Sequence, residues 1–160
     1  MTPPQKPGRS KQDYGTPWEF IHAVERMLGI NAFTMDLAAS ATNAKAQRYL
    51  TARNDALAHP WRAHVRRHDW CWLNPEFGVI APWVEKCATE KPRGLRVATL
   101  LPAGVGTNWF AEHVEGQAHV LLLRPRLVFV GETAPYPKDL MLCLYDGPRV
   151  GCSTWDWRTA

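Results

Sequence analysis

The sequence predicts an α/β fold of three layers with a mixed sheet, mostly parallel and with an antiparallel edge. Up to about residue 114, apolar segments of strand length alternate with segments of helical periodicity. That order is typical of parallel strands with helices packed on both faces of a sheet. Further along the chain, strand-length segments follow one another without a helix between them. We expect these last strands to form the antiparallel edge.

The first helix is predicted from its start and stop signals. Thr16 can cap the first turn, Pro17 suits the first helical position, and Glu19 completes a capping box. Apolar side chains then recur at helical spacing until Gly29 ends the helix.

The later elements follow from the same patterns, on either side of a polar and less regular stretch at 41–69. Two further helices are expected, one after Gly78 that ends before Pro92 and one over 107–114. The strand expected at 95–101 is continuously apolar, which is typical of a strand buried on both faces. The predicted strands are 33–37, 69–73, 95–101, 118–123, 126–130 and 140–145.

Size and composition indicate a single globular domain over 15–160, preceded by a flexible basic arm over 1–14. Hydrophobic residues make up 46% of the 160 residues and charged residues 21%, as in ordinary folded domains. No segment approaches the roughly 20 apolar residues that span a bilayer, and the N-terminus has no signal-peptide core. We therefore expect a cytoplasmic protein with no membrane partner. The sequence leaves the oligomeric state open, a monomer included.

The four cysteines show neither a C-x-x-C pair nor zinc-finger spacing. Reduced thiols in the core are the expectation, and no metal site is predicted.

A formal charge of +4 and a pI of about 9.0 permit a polyanionic partner. Arg62, Arg66 and Arg67 lie in a histidine-containing stretch and are the best candidates for phosphate contacts. A metal site on those histidines is the weaker interpretation. The basic residues of the arm, Lys6, Arg9 and Lys11, can add to the phosphate contacts.

The segment LNPEFG, at 73–78, is the first candidate for chemistry. The side-chain oxygen of Asn74 and the carbonyl of Pro75 are neighbouring acceptors, which suits an amine that carries two hydrogens. Phe77 can stack on the ring that bears this amine. Two accepted hydrogen bonds would localise the lone pair of an adenine amine and make it nucleophilic. The alternative is an ordinary turn at the end of a strand.

Polar groups also lie at the ends of two other predicted strands. Ligands of open α/β sheets bind at the carboxyl ends of the strands. Asp36 suits an ammonium group or ribose hydroxyls there, and a turn-forming acid is an equal alternative. The loop at 101–107 lacks the Gly-Lys-Ser/Thr ending of a nucleotide triphosphate loop. It either closes over a bound base or cofactor, or simply connects a strand to a helix.

A series of short motifs occurs in order over roughly residues 12–146. The chain thereby resembles the phage-type DNA N-6-adenine methyltransferase family, small enzymes that depend on S-adenosylmethionine. The motifs are TPWEF at 16–20, MDLAAS at 35–40, YLT at 49–51, DAL at 55–57, LNPEFG at 73–78, PWV at 82–84, LLPA at 100–103, WF at 109–110, RLVF at 126–129 and APYP at 134–137.

The resemblance implies a Rossmann-like methyltransferase fold and an Asp/Asn-Pro-Pro-Tyr/Phe catalytic motif, matched at Asn74, Pro75 and Phe77. It also implies methyl transfer to the exocyclic N6 of adenine in double-stranded DNA, in a phage-infected or bacterial cell. The target base must leave the stack to reach such a site.

For the cofactor, the resemblance implies that Thr16 and Pro17 help to hold the methionine end of S-adenosylmethionine. Asp36 would face its polar groups, and Asp55 would contact its adenosine half.

One position departs from the family motif, because Glu76 stands where the second proline is expected. The first proline supplies the acceptor carbonyl, so that contact can survive. Glu76 nevertheless restores a backbone N–H and brings a carboxylate next to the site. The alternative function is therefore an impaired or inactive member of the fold that binds DNA or cofactor without methylating.

Overall fold

A seven-stranded sheet organises residues 14–51 and 56–160, the part of the chain that the computed structural model describes. The predicted arm, except for Tyr14, and Asp55 lie outside the described residues. The helices are α1 (Trp18–Leu28), α2 (Ala81–Glu90) and α3 (Asn108–His113). The strands are β1 (Met35–Asp36), β2 (Arg48–Tyr49), β3 (Trp70–Leu73), β4 (Arg96–Pro102), β5 (His119–Arg124), β6 (Leu140–Tyr145) and β7 (Gly151–Asp156).

The strand order is β2-β1-β3-β4-β6-β5-β7, and every neighbouring pair is parallel except the two pairs that β6 forms. The mixed, mostly parallel α/β sheet is thus confirmed. The antiparallel strand, however, lies inside the sheet and not at its edge. All six residues of β6 are buried, so this apolar strand takes an interior place. The exposed and more polar β7 lies at the edge.

Helices cover both faces of the sheet, which confirms the three layers. One core contains α1 together with Leu142 of β6, and the other contains α2 together with Cys143. Successive side chains of a strand point to opposite faces, and both of these side chains are 0% exposed. No helix in the described ranges is long and apolar enough to cross a membrane.

Two local predictions differ from the structure. The segment 126–130 is not a strand, although buried Leu127 and Phe129 alternate with exposed Val128 and Val130. It is a loop. Its Val130 N–H donates to the carbonyl of Gly15 (2.9 Å), in the segment before α1, and not to a strand of the sheet. Its alternation imitates a half-buried strand.

The start of α1 also differs. Pro17 is the N-cap residue, and no side chain caps the helix, so Thr16 does not have the capping role predicted for it. Its hydroxyl accepts a hydrogen bond from Asn74 instead. Gly29 ends the helix as predicted, with a left-handed φ of 70°.

Candidate active site

The carboxyl ends of β1 and β3 meet at the point where the strand order reverses. From β1 the chain passes to β2 on one side and then returns to β3 on the other side of β1. Ligands of open α/β sheets bind at such a switch point. Asp36 ends β1 and Asn74 follows β3, so the structure brings these two predicted residues together. They line a cleft with Tyr14, Gly15, Thr16, Ala38, Asn43, Lys45 and Trp72.

The amide of Asn74 is oriented by the segment that precedes α1. Its Nδ2 donates to the carbonyl of Tyr14 (3.1 Å) and to the hydroxyl of Thr16 (3.0 Å). A carbonyl oxygen can only accept, so the amide nitrogen must face Tyr14. Both amide hydrogens are therefore used, and Oδ1 is left as an acceptor. Within the described ranges, no residue donates a hydrogen bond to it.

Pro75 and Glu76 form the turn that follows β3. Pro75 is buried and Glu76 is partly exposed. The Val79 N–H closes the turn on the Glu76 carbonyl (3.2 Å), while no hydrogen bond among the described residues involves the Pro75 carbonyl. Among the described residues, neither Asn74 Oδ1 nor the Pro75 carbonyl therefore accepts a hydrogen bond.

Four aromatic rings form a cluster beside these acceptors. Phe77 meets Tyr136 edge to face at 5.7 Å and Phe129 at 6.4 Å, and Tyr14 stacks on Phe129 at 4.9 Å. The rings come from three separate loops at one edge of the sheet, and the ring of Phe77 remains partly exposed. Tyr14 and Tyr136 were not identified as site residues from the sequence. Tyr136 lies in the motif APYP at 134–137, which was the available signal.

Asp36 is a buried carboxylate at the floor of the cleft, with 3% of its surface exposed. Its two oxygens accept hydrogen bonds from the backbone N–H groups of Ala38 (3.2 Å) and Lys45 (2.9 Å). Burial raises its pKa from 3.8 to about 6, although both hydrogen bonds act in the opposite direction. Asp36 therefore holds the turn after β1, as one of the two interpretations from the sequence has it, and it also lines the cleft.

Of the other residues predicted to bind the cofactor, Thr16 lines the cleft and Pro17 lies next to it in sequence. Thr16 is buried (1% exposed) and lines the cleft. Pro17 begins α1 next to it, and its carbonyl accepts from the N–H groups of Phe20 and Ile21 (3.1 and 3.2 Å). Pro17 is not among the described residues that line the cleft.

The structure does not bring the three predicted phosphate-binding arginines to the cleft. Arg62 donates to the backbone carbonyls of Arg93 (3.1 Å) and Val65. Arg66 and Arg67 precede β3, where the His68 N–H binds the Gly94 carbonyl (3.0 Å) ahead of β4. This is the amino edge of the sheet. The length of the four-residue β3, about 13 Å, separates it from the edge that carries Asn74.

The loop after β4 has an ordinary local explanation. The Thr107 hydroxyl donates to the Gly104 carbonyl (2.6 Å) and accepts from the Phe110 N–H (3.3 Å), which caps α3. A side chain at Gly104 would meet the Trp109 ring at 2.8 Å. These contacts support a strand-to-helix connection.

Comparison with known proteins decides the family. Residues 5–139 match the family described as DNA N-6-adenine-methyltransferase (Dam). The chain belongs to the Dam family. The matched residues include the cleft and the aromatic cluster, and they end just before β6. The match confirms the family that the motif series indicated and, with the sheet topology, the Rossmann-like methyltransferase fold.

Two individual proteins are similar to this Dam family member. A DNA N-6-adenine-methyltransferase of Escherichia phage T1 is 27% identical over 116 residues, 71% of this chain and 45% of that protein. The chain thus spans about half the length of that relative. The crystal structure of a predicted O-methyltransferase from Agrobacterium tumefaciens is 15% identical over 76% of this chain and 77% of that chain, with a TM-score of 0.37. That likeness is too distant to bear on function. The family match and the phage T1 relative do not favour a DNA- or cofactor-binding module without activity.

Proposed function

We propose that the chain transfers a methyl group from S-adenosylmethionine to the exocyclic N6 of adenine in double-stranded DNA. The observation that carries this proposal is the orientation of Asn74. Both of its amide hydrogens are donated within the protein, so Oδ1 is available next to the Pro75 carbonyl.

These two acceptors suit the two hydrogens of the adenine amine. The lone pair of that amine is delocalised into the ring, which makes it a poor nucleophile. Hydrogen bonds accepted by Oδ1 and by the Pro75 carbonyl favour a pyramidal nitrogen with a localised lone pair. They strengthen as positive charge develops on the nitrogen, so they stabilise the transition state more than the ground state. The acceptors are held by the fold before the base arrives, which limits reorganisation during the reaction.

The aromatic cluster provides a surface for the flipped base. Stacking on an aromatic side chain is worth about 1–3 kcal/mol per base, which offsets part of the cost of unstacking. Phe77 is the ring closest in sequence to the acceptors, and Tyr136 stands at its edge. We assign contact with the base to Phe77, with Tyr136 and Phe129 holding its position.

The cleft next to Asn74 is the proposed cofactor site. S-adenosylmethionine, when bound, supplies an electrophilic methyl group on a sulfonium sulfur. The fit is supported by Asp36, a buried carboxylate that forms no ion pair with any described residue and that complements an ammonium group. Thr16 would bind the same end of the cofactor, with Pro17 adjacent. Asp55, outside the described residues, remains the proposed contact to the adenosine half.

DNA would approach the carboxyl edge of the sheet, because Asn74 lies there. Arg124 ends β5 at this edge and Lys138 lies in the loop before β6, and both are exposed. We propose these two residues as phosphate contacts. Arg62, Arg66 and Arg67 would reach only DNA that extends to the opposite edge.

Transfer of a labelled methyl group from S-adenosylmethionine to unmethylated duplex DNA tests the proposal. The wild type should label the DNA, and Asn74→Ala should lower the rate at least 100- to 1,000-fold, as expected for loss of a preorganised transition-state contact. Asn108→Ala, at an exposed asparagine that begins α3, is the matched control and should keep the wild-type rate. A folded Asn74→Ala variant with undiminished transfer would exclude the proposed role of Asn74.

A further inference from the structure

Lys45 is a buried lysine that the function described so far leaves unused. It lies in the loop after β1, lines the cleft and is 8% exposed. Its backbone N–H donates to the Asp36 carboxylate (2.9 Å), and this bond fixes the residue beside Asp36. Asp36 and Lys45 are the two charged residues among the described residues that line the cleft.

Among the described residues, the ammonium of Lys45 has an aromatic partner but no hydrogen-bond acceptor. Its Nζ stands 4.7 Å from the ring centre of Trp18, in the first turn of α1. None of the residues at 14–51 or 56–160 accepts a hydrogen bond from Nζ or forms an ion pair with it. Burial of an ammonium that makes no direct ion pair is costly, and it lowers the pKa of Lys45, while the nearby Asp36 carboxylate opposes that shift. The cation–π contact compensates only in part, since such a contact is worth about 0.5–2 kcal/mol.

The arrangement suits a ligand that carries both charges on neighbouring atoms. A carboxylate would supply the hydrogen-bond acceptor that the Lys45 ammonium lacks among the described residues, and an ammonium would give Asp36 a direct ion pair in addition to the nearby charge of Lys45. The amino-acid end of S-adenosylmethionine is a zwitterion of this kind. A DNA phosphate is a poorer match, because it would have to approach the Asp36 carboxylate as well.

We propose that Lys45 binds the carboxylate of the methyl donor and that Trp18 positions the Lys45 side chain. This assignment rests on the proposed use of S-adenosylmethionine and adds to it a residue that selects for the carboxylate. Lys45 takes no part in the transfer step itself.

The test is a comparison of two ligands by isothermal calorimetry, without DNA and without turnover. Decarboxylated S-adenosylmethionine keeps the sulfonium and the ammonium and lacks only the carboxylate. The wild type should bind S-adenosylmethionine roughly 10- to 100-fold more tightly than the decarboxylated compound, the range for a charge-assisted hydrogen bond. In Lys45→Met this preference should fall to about 1, through weaker binding of S-adenosylmethionine alone.

Three further variants sharpen the result. Lys45→Arg should keep part of the preference, and Trp18→Leu should reduce it without removing it. Arg149→Met removes an exposed basic side chain from the loop between β6 and β7 and should keep the wild-type preference. Thermal unfolding of each variant shows whether it is folded, and Lys45→Gln replaces Lys45→Met if that protein is not.

The outcomes separate the two proposals. If the wild type binds both ligands equally, or if Lys45→Met keeps the preference, the assignment of Lys45 is wrong and the proposed methyl transfer is unaffected. If Lys45→Met binds both ligands normally and loses affinity for DNA, Lys45 is a phosphate contact and the assignment is also wrong. If the wild type binds neither ligand, the proposed use of S-adenosylmethionine fails, and the assignment fails with it.

Discussion

Replacing Asp36 by asparagine should change how the free energy of unfolding depends on pH. The carboxyl is 3% exposed, and burial raises its pKa from 3.8 to about 6. Because the folded pKa is above the unfolded one, ionisation of Asp36 destabilises the fold. The protonated Asp36 carboxyl stabilises the fold relative to the ionised one. This stabilisation is complete below pH 3.8 and is lost as the pH rises through about 6. A shift of this size corresponds to about 3 kcal/mol over that interval.

The amide that replaces this carboxyl would not titrate, so the Asp36→Asn variant should lack this loss. It would also leave one backbone N–H, that of Ala38 or Lys45, without its acceptor, a penalty of about 1–3 kcal/mol that does not depend on pH. The informative quantity is therefore the difference in unfolding free energy between Asp36→Asn and wild type. This difference should move in favour of the variant by about 2 kcal/mol between pH 4 and pH 7.5, because the unfolded carboxyl is already largely ionised at pH 4.

Urea denaturation of both proteins without cofactor, at several pH values across this range, measures the difference. A difference that stays constant with pH would show that Asp36 titrates normally in the fold, and the proposed buried carboxylate would be wrong.

The same group should control ligand affinity, since a bound ammonium favours the ionised form. At pH 5, S-adenosylmethionine should bind wild type about tenfold more weakly than at pH 7.5, and Asp36→Asn should bind weakly at both.

Three other changes test separate parts of the structure. Phe77→Ala should lower kcat/KM for DNA about 10- to 100-fold through lost stacking, with the calorimetric affinity for S-adenosylhomocysteine unchanged; a parallel loss of cofactor affinity would place Phe77 in the wrong subsite. Arg124→Ala should weaken binding to a short duplex and lower the salt dependence by about one phosphate contact, whereas Arg67→Ala should do neither; the reverse result would mean that DNA lies on the amino edge. Leu142→Ala, at a 0% exposed position in β6, should lower the free energy of unfolding by about 2–5 kcal/mol, and a loss below about 1 kcal/mol would contradict the central place of β6.

The catalytic segment and the floor of the cleft were predictable because their signals are local. The apolar strands before Asn74 and around Asp36 are each evident from a few residues. Ligands bind at the carboxyl ends of such strands, and this rule predicted that the two residues lie close together. The sequence could not show that the Thr16 hydroxyl accepts a hydrogen bond from Asn74 instead of capping α1. That contact joins residues 58 positions apart, and it depends on how the chain enters the sheet.

Features that depend on topology were harder to predict. The charge of Arg66 and Arg67 was evident, but which edge of the sheet they occupy depends on their position before β3. β7 was missed because an exposed edge strand needs no apolar alternation. Lys45 was missed because its burial follows from the loop that Asp36 organises and from the ring of Trp18.

Identification of the methylated nucleoside tests the central claim most directly. Duplex DNA without methylated bases is incubated with the wild-type protein and S-adenosylmethionine, digested to nucleosides and analysed by mass spectrometry. We predict that wild type and Asn108→Ala form N6-methyl-2′-deoxyadenosine and that Asn74→Ala does not. Methylation of cytosine, or no methylated nucleoside from a wild type that binds S-adenosylmethionine, would contradict the claim that Asn74 and Pro75 activate an adenine amine.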